Sequence, residues 1–363
     1  MPTNRREFLQ RASALGIGLG VRAPALTAAQ RAAAMPPPRV SAFMKLFNLK
    51  YPISNAGMGS AAQPPLTIAV SSAGGLGSLG SGTRTTADSV RTRVSRIKAA
   101  TDRPFAINYL LPFEAPTLDV ALEAGAPIIQ FAFGIPTADM LRRIRTSGAR
   151  FSVQVGSAEN ARRAVDAGAA YLICQGIEAA GHVQSTTPLE DLLPAVVEQA
   201  KDVPVLAAGG IASGAHMRRV LSAGASGVLM GTRFVATKEG HAHDEYKNAL
   251  TRAKASDTVM TVCFQDGWTN APHRVLRNRT VEMWEAAGCP PPGKRPGEGD
   301  ELATNTATGA KRIRYGIAPP YPDDRGTVLD MALYAGRGVD AIRDVPSAGE
   351  LMARLWKECL DAR

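Results

Sequence analysis

Residues 203–232, VPVLAAGGIASGAHMRRVLSAGASGVLMGT, contain the pattern that recurs along this chain of 363 residues. An apolar run ends in Gly209-Gly210, a helix-like segment follows at 215–222, and a second apolar run ends in Gly231-Thr232. Val, Leu, Ala and Met fill both alternating faces of the two runs, which is typical of parallel strands buried on both sides. The stretch therefore predicts a strand–helix–strand unit in which each strand leads into a glycine-containing turn.

The same pattern extends across the chain from about residue 45. Apolar runs lie at 52–56, 75–79, 104–108, 127–132, 151–155, 171–174, 203–207 and 227–230. Helix-like stretches lie at 65–73, 86–99, 137–144, 158–167, 189–201 and 215–222. Three of the intervening segments end in Ala-Gly-Ala, with Gly125, Gly168 and Gly224 where left-handed helix caps are expected. Eight strands spaced in this way predict an α/β fold, a (β/α)8 TIM barrel, with a doubly wound sheet as the alternative.

Residues 1–35 differ in composition from the rest of the chain. Residues 1–35 combine the pair Arg5-Arg6, a mild apolar run at 14–21 and alanine-rich sequence, as a twin-arginine export signal does. The apolar run is too short to span a bilayer, so we expect no stable membrane insertion. The chain is therefore expected to use the export machinery and reach the periplasm, with a cytoplasmic location as the alternative.

The remaining residues divide by composition into two regions. Residues 40–255 carry the barrel pattern, and residues 256–363 contain a proline- and glycine-rich stretch at 289–300. Helical spacing recurs at 328–334 and 348–360. We therefore expect the second region to be a mainly helical C-terminal subdomain with loops that cover the mouth of the barrel.

Charge and cysteine content exclude several classes of protein. The net charge is +10, but half of it comes from residues 1–39, and the rest of the chain has no basic block with interleaved aromatic residues. A nucleic-acid partner is therefore not expected. The four cysteines form no CxxC pair, and His241 and His243 lack a supporting carboxylate, so no metal site is predicted.

The glycines that end the last two barrel strands suggest a phosphate site. A phosphate needs several donors that converge without side chains in the way, and glycine backbone provides this. Gly209-Gly210 and Gly231-Thr232 end successive strands, at the position where barrels commonly bind phosphate. The alternative is a pair of tight turns without a ligand.

Polar side chains at other strand ends suggest what the phosphate belongs to. Asn108 ends the third strand and Gln175 the sixth, and amides can both donate to and accept from the edge of a flat heterocycle. The first strand ends in Asn55-Ala56-Gly57-Met58, where glycine allows backbone close to a ring. On spacing alone, each amide could equally be a core residue or a strand cap.

His182 is the candidate for proton handling. It follows Gln175-Gly176-Ile177-Glu178-Ala179-Ala180-Gly181, on the loop after the sixth strand. An imidazole at the mouth of a barrel can take a proton from a carbon acid or stabilise an anion. A solvent-exposed loop histidine is the alternative.

In the order and spacing of these segments the chain resembles the nitronate monooxygenase family, formerly called 2-nitropropane dioxygenases. The resemblance implies noncovalently bound FMN beside Asn108, Gln175 and Gly181, with Gly210 and residues 229–232 around its phosphate. It implies His182 as the catalytic residue, and oxidation of an alkyl nitronate by O2 to a carbonyl compound and nitrite. The complete set of expected cofactor contacts is Asn55, Gly57, Met58, Asn108, Gln175, Gly181, Gly209, Gly210, Leu229, Met230, Gly231 and Thr232.

Two departures from the family pattern affect these expectations. Ala180 stands where many relatives have glycine, which is tolerable if its backbone is not left-handed. Val183-Gln184 follows the histidine where many relatives have Gly or Arg, which affects the choice of substrate more than the flavin. Two other functions remain open: an NAD(P)H-dependent FMN oxidoreductase similar to enoyl or quinone reductases, and a flavin-binding protein without turnover.

Overall fold

A computed structural model describes residues 37–82 and 85–362. Residues from Pro37 onward form one compact unit, in which the predicted regions 40–255 and 256–363 are not separate bodies. The predicted export segment, residues 1–35, lies outside the described residues. Within the described ranges, no helix has both the length and the apolar character needed to cross a membrane.

Eight parallel strands form the predicted barrel. The strands are β1 (Ile53–Asn55), β2 (Gly77–Gly80), β3 (Phe105–Leu110), β4 (Ile128–Ala132), β5 (Arg150–Val155), β6 (Tyr171–Gln175), β8 (Val205–Ala208) and β9 (Gly227–Met230), while the short β7 (Gly181–His182) belongs to another sheet. In spatial order the barrel sheet runs β1, β9, β8, β6, β5, β4, β3, β2, and a parallel bridge between Ser54 and Leu76 closes it from β1 to β2. Closure settles the choice between the two predicted folds in favour of the barrel.

Helices surround the barrel, and the last of them comes from the end of the chain. After α1 (Pro38–Leu46), the helices are α2 (Pro64–Ala73), α3 (Ala87–Ala100), α4 (Leu118–Glu123), α5 (Ala138–Ser147), α6 (Ala158–Asp166), α7 (Leu189–Ala200), α8 (Gly214–Ser222), α9 (Thr232–Val235), α10 (Asp244–Arg252), α11 (Arg279–Ala286) and α12 (Ala348–Asp361). Helix α12 packs against α8 and α2, in the place that follows β9. Its apolar face, which includes Leu351 and Leu355, joins the main core, so residues 256–363 contribute to the barrel itself.

The strands are buried on both faces, as their composition predicted. One face packs against the helices, and the other fills the barrel interior. Inside, the Ser78 hydroxyl donates to Gln130 Oε1 at 2.5 Å, and Gln130 Nε2 donates to the Tyr171 hydroxyl at 2.8 Å. These side chains come from alternate strands, the layered arrangement expected of a barrel. Phe43 of α1 and Phe47, the residue after this helix, pack edge-on against Tyr171. Helix α1 therefore covers the bottom of the barrel.

The three Ala-Gly-Ala segments end helices as predicted. Gly125, Gly168 and Gly224 have φ angles of 84°, 90° and 101°, in the left-handed region that favours glycine. Each reverses the chain from a helix into the next barrel strand.

The C-terminal region contains more strand than predicted. A three-stranded sheet joins β10 (Thr258–Thr261), β11 (His273–Leu276) and β7 (Gly181–His182); a second joins β13 (Lys311–Ile313), β12 (Glu301–Asn305) and β14 (Asp324–Gly326). The predicted helix at 328–334 is wrong, because only Val328–Asp330 forms a short 3-10 turn. The chain then extends, and the Leu276 N–H donates to the Leu333 carbonyl at 2.8 Å. This pairing with β11 overrides the helical spacing.

Asn55 joins the two strands at which the barrel closes. Its Nδ2 donates to the Ser78 carbonyl at 2.8 Å, and its Oδ1 accepts from the Ser78 N–H at 2.8 Å. The side chain is fully buried and does not line the cavity described below. The expected cofactor contact at Asn55 is therefore absent from the cavity lining, because its amide is committed to the backbone of β2.

We expect Asn55→Ala to lower the free energy of unfolding by about 3 kcal/mol, because it leaves buried polar groups of Ser78 without partners. Urea unfolding followed by circular dichroism measures the change. Asn248→Ala, at an exposed position of α10, is the control and should alter stability little. Equal stability of both variants would show that the Asn55 bonds do not hold the closure.

Candidate active site

A cavity of about 1190 Å³ lies at the carboxyl ends of the barrel strands. Its walls come from loops after the strands and from three segments of the C-terminal region, at 266–268, 311–321 and 331–338. It is lined by all the predicted site residues apart from Asn55, namely Gly57, Met58, Asn108, Gln175, Gly181, His182, Gly209, Gly210, Leu229, Met230, Gly231 and Thr232. The structure therefore brings together residues that are up to 175 positions apart in the sequence, between Gly57 and Thr232.

The glycine turns after β8 and β9 form one end of the cavity. Gly209 and Gly210 have φ angles of 110° and 68°, so both adopt backbone that L side chains rarely take. A Cβ on Gly210 would come within 3.0 Å of the Glu178 Cβ. Gly231 has φ −96°, so its conformation does not require glycine. The Thr232 hydroxyl accepts from the Gly336 N–H at 3.1 Å, which leaves its own hydrogen free to donate.

The two predicted amides line the cavity and also hold its walls. Asn108 Nδ2 donates to the Gly57 carbonyl at 3.3 Å. A Cβ on Gly57 would lie 2.3 Å from the Asn108 Cβ, so only glycine permits this close approach of the β1 loop to β3. Gln175 Nε2 donates to the His182 carbonyl at 3.3 Å, and Gln175 Oε1 accepts from the Gln184 N–H at 3.0 Å. Gln175 thus fixes the backbone on both sides of the candidate catalytic residue.

The loop that carries His182 is held by its own polar groups. Glu178 Oε2 accepts from the Leu189 N–H at 3.0 Å, at the start of α7, where a carboxylate is favoured. Ala180 has no left-handed backbone, so the alanine there is tolerated as expected. Gln184 Oε1 accepts from the Phe133 N–H at 2.9 Å, and its Nε2 donates to the Gln154 carbonyl at 2.8 Å. Gln184, a departure from the family pattern, therefore links the ends of three barrel strands.

His182 is partly buried and lies among aromatic rings. Its strand β7 pairs with β11, which sets His182 opposite His273. The imidazole stacks on Trp268 with ring centroids 4.2 Å apart, and His273 and Tyr334 lie at 5.3 Å and 6.0 Å. Nε2 of His182 is buried and has no hydrogen-bond partner in the described part of the chain. An imidazole nitrogen without a partner at the wall of a cavity is a candidate contact for a bound ligand.

Burial decides the protonation state of His182. Loss of water around the ring, with a smaller contribution from His273, lowers the pKa of His182 to about 3. His273 is also neutral, because its Nε2 accepts from the Phe264 N–H at 3.2 Å while burial lowers its pKa. At neutral pH the cavity therefore presents an uncharged imidazole.

Several residues of the site were not found from the sequence. Trp268 lies in an irregular loop, and no spacing rule assigns it to the barrel mouth. His273 belongs to the C-terminal region, and only the pairing of β11 with β7 brings it opposite His182. Arg93 lies on α3 between the apolar positions Val90 and Val94, and a cation within an apolar stripe is a signal that could have been used. Tyr315, Tyr321 and Tyr334 differ from these residues, because they lie in the C-terminal region that the sequence predicts to cover the mouth, and all three line the cavity.

Comparison with protein families gives one match that covers most of the chain. Residues 40–120 and 113–358 match the family described as nitronate monooxygenase. The nitronate monooxygenase of Pseudomonas aeruginosa is 30% identical over 363 aligned positions, which cover 87% of this chain and 98% of the relative.

Two further similarities bear on the reaction. A 5-hydroxy-7a-methyl-1-oxo-octahydro-1H-indene-4-carboxyl-CoA dehydrogenase of Mycobacterium tuberculosis is 34% identical, over 67% of each chain. The crystal structure of a nitroalkane oxidase from Streptomyces ansochromogenes superposes with a TM-score of 0.70 at 29% identity, covering 89% of this chain and 99% of the other. The chain is thus similar to proteins named for different oxidations.

We predict that the low pKa of His182 makes the cofactor-free protein less stable in acid. The unfolded histidine takes up a proton near pH 6.5, whereas the folded one does so near pH 3, so stability falls as the pH drops between these values. In His182→Gln the free energy of unfolding should decline less steeply between pH 6 and 4, by about 1.4 kcal/mol per pH unit. Urea titrations at several pH values measure this slope. Identical slopes for both proteins would contradict the assignment.

Proposed function

Because the chain belongs to the nitronate monooxygenase family, we propose that it oxidises alkyl nitronates with O2 to a carbonyl compound and nitrite. Its class is that of the flavin-dependent oxidoreductases. The observation that carries the proposal is the unpartnered Nε2 of His182 at the wall of a cavity whose other end is glycine backbone. Export of the protein, inferred from residues 1–35, remains part of the proposal.

The residues of the cavity fit FMN. The turns Gly209-Gly210 and Gly231-Thr232 would hold the phosphate, since they offer backbone with few side chains in the way. Asn108, Gln175 and Gly181 would border the ring. When bound, FMN would supply the electron transfer between the carbon acid and O2.

The role of His182 follows from its neutral state. A neutral imidazole with its proton on Nε2 can donate a hydrogen bond from that nitrogen to a nitronate oxygen, whereas the other tautomer has a bare Nε2 that can accept a proton. Among the described residues, no carboxylate contributes to the pKa of His182, so the ring gains nothing from becoming charged before the substrate binds. We therefore assign His182 to orienting a preformed anion, with proton removal from a neutral nitroalkane as a weaker activity.

A second candidate function is oxidation or reduction coupled to NAD(P)H. The similarity to the mycobacterial protein named as a dehydrogenase favours it, because that relative has the higher identity of the two compared. The inferred export argues against it, because the periplasm does not supply nicotinamide cofactors readily. A flavin-binding protein without turnover would have no use for the unpartnered Nε2 of His182.

The flavin itself reports which function is correct. The purified yellow protein should lose its absorbance near the flavin maximum when mixed anaerobically with propionate 3-nitronate, and should recover it when O2 is admitted. NADH alone should leave the spectrum unchanged. Bleaching by NADH and none by the nitronate would refute the monooxygenase proposal and favour the second candidate.

The same proposal predicts the behaviour of His182→Ala. The variant should retain bound FMN, because the turns Gly209-Gly210 and Gly231-Thr232 are unchanged. Its kcat/KM for the nitronate should fall by about a hundredfold or more. Absorbance measures the bound FMN, and nitrite release measures turnover. An undiminished kcat/KM would remove His182 from the mechanism.

Arg93 suggests which nitronates bind well. Among the described residues that line the cavity, Lys311, Arg312 and Asp266 are each paired with an opposite charge, whereas Arg93 has no carboxylate partner. Within residues 37–82 and 85–362, its one hydrogen bond is long, 3.5 Å, to the Gly80 carbonyl. An unpaired guanidinium at the wall of a cavity attracts an anionic group. We propose that Arg93 favours nitronates that carry a second negative charge.

Arg93→Gln should therefore raise KM for propionate 3-nitronate by about tenfold, since a charge-assisted hydrogen bond is lost. KM for ethyl nitronate, which lacks the carboxylate, should stay within about twofold of wild type. Arg96→Gln, at an exposed position on the same helix, is the control. Equal changes in KM for both substrates would rule out Arg93 as a carboxylate contact.

A further inference from the structure

We propose that Trp268 is a positioning residue that shields the His182 imidazole from water and so commits the site to preformed anions over neutral nitroalkanes. This inference rests on the proposed function, and it assigns a role to a loop residue outside the expected site. It is carried by ring contacts, by the way in which the loop is fixed, and by the groups that surround His182.

Trp268 lies between His182 and two aromatic rings of the barrel loops. Its indole stacks on His182 at 4.2 Å with an interplanar angle of 25°. Phe113, on the loop after β3, and Phe133, on the loop after β4, meet the indole edge-on at 5.1 Å and 4.8 Å. These edge-to-face contacts are favourable for aromatic pairs. The indole is therefore held from one side by the barrel loops while its face covers the imidazole.

The backbone of this loop is fixed to the neighbouring C-terminal segment. The Asp266 N–H donates to the Tyr315 carbonyl at 3.2 Å, and the Ile317 N–H donates to the Asp266 carbonyl at 3.4 Å. The Asp266 carboxylate pairs with the buried Arg295 at 2.9 Å, and that guanidinium lies over the Tyr315 ring at 4.4 Å. Two irregular segments of the chain are thus bonded to each other above the mouth, and Trp268 lies two residues after Asp266, which makes these bonds.

Backbone strain occurs at two residues that brace this arrangement. Phe133 and Tyr315 have φ angles of 63° and 72°, which bulky side chains rarely adopt. Such strain persists only where surrounding contacts determine it, and it clusters at functional sites. Here the Phe133 N–H is held by Gln184, and the Tyr315 hydroxyl donates to the Pro296 carbonyl at 2.7 Å.

The titratable groups around His182 do not favour a charged imidazole. From β11 it faces the neutral His273, with Arg274 next in that strand; Tyr334 faces it from the extended C-terminal segment. Asp266, on the Trp268 loop, is paired with Arg295. An indole face does attract a cation, but here exclusion of water outweighs that attraction and keeps the pKa of His182 low.

A neutral imidazole shielded from water suits the nitronate anion better than the neutral nitroalkane. It can hydrogen-bond a nitronate that is already an anion, whereas removing a proton from a neutral nitroalkane requires a stronger base. If Trp268 is removed, water reaches the ring, and the pKa of His182 should rise towards its ordinary value. The imidazole then becomes a better base, so kcat/KM for neutral nitroalkanes should rise relative to kcat/KM for nitronates.

The test compares Trp268→Ala and Trp268→Phe with wild type. Trp356→Ala, on α12 and partly buried against the main core, is the control. Titration of the imidazole in the cofactor-free protein by NMR should show the pKa of His182 raised by one unit or more, about tenfold in proton affinity, in Trp268→Ala. In the flavin-loaded proteins the ratio of kcat/KM for nitroethane to that for ethyl nitronate should rise by about tenfold as well. Trp268→Phe should stay near wild type in both measurements.

The two readouts separate the inference from the function on which it rests. An unchanged His182 titration in folded Trp268→Ala would overturn the role of Trp268, whatever the enzyme oxidises. If wild type oxidised no nitronate, the proposed function would fail, and with it the claim about substrate form. Should Trp268→Ala not fold, Trp268→Leu takes its place in both measurements.

Discussion

A short antiparallel pairing, Gly181–His182 against His273–Arg274, determines how the active site is assembled. The barrel supplies one strand of this pair, from the loop after β6, and the C-terminal region supplies the other. Because the chain later returns to the barrel as α12, the C-terminal region is anchored at both ends. The loop that carries Trp268 lies between β10 and β11, so it is held directly above the imidazole.

This assembly explains the electrostatics of the cavity. Closing the mouth with aromatic residues removes water from His182, while no carboxylate of the described residues compensates for a charged ring. Charge is found instead at the edge of the cavity, where Arg93 has no carboxylate partner within the described part of the chain and Lys311 and Arg312 are paired. A small anion would therefore meet a cation near β2 and an uncharged hydrogen-bonding group near β7, in a cavity whose β8 and β9 turns suit a phosphate.

The barrel could be read from the sequence, because each of its strands is a continuous apolar run and its turns carry glycine. The eight runs, the glycine caps at 125, 168 and 224, and the fold itself are confirmed. The features that the sequence did not predict depend on contacts between residues far apart in the chain. Helix α12 gives no sign in its sequence that it completes the barrel, and residues 331–334 extend because β11 offers them hydrogen bonds. Asn55 was placed at the cofactor because strand ends meet at the mouth, but its amide is occupied by Ser78.

Nε2 of His182 has no hydrogen-bond partner among the described residues, which leaves it available to a substrate anion. A crystal structure of the flavin-loaded protein, soaked with propionate 3-nitronate without O2, tests this most directly. A nitro oxygen should lie about 3 Å from His182 Nε2. A nitronate bound elsewhere in the cavity, with Nε2 still unpartnered or bonded to a protein group, would contradict the claim.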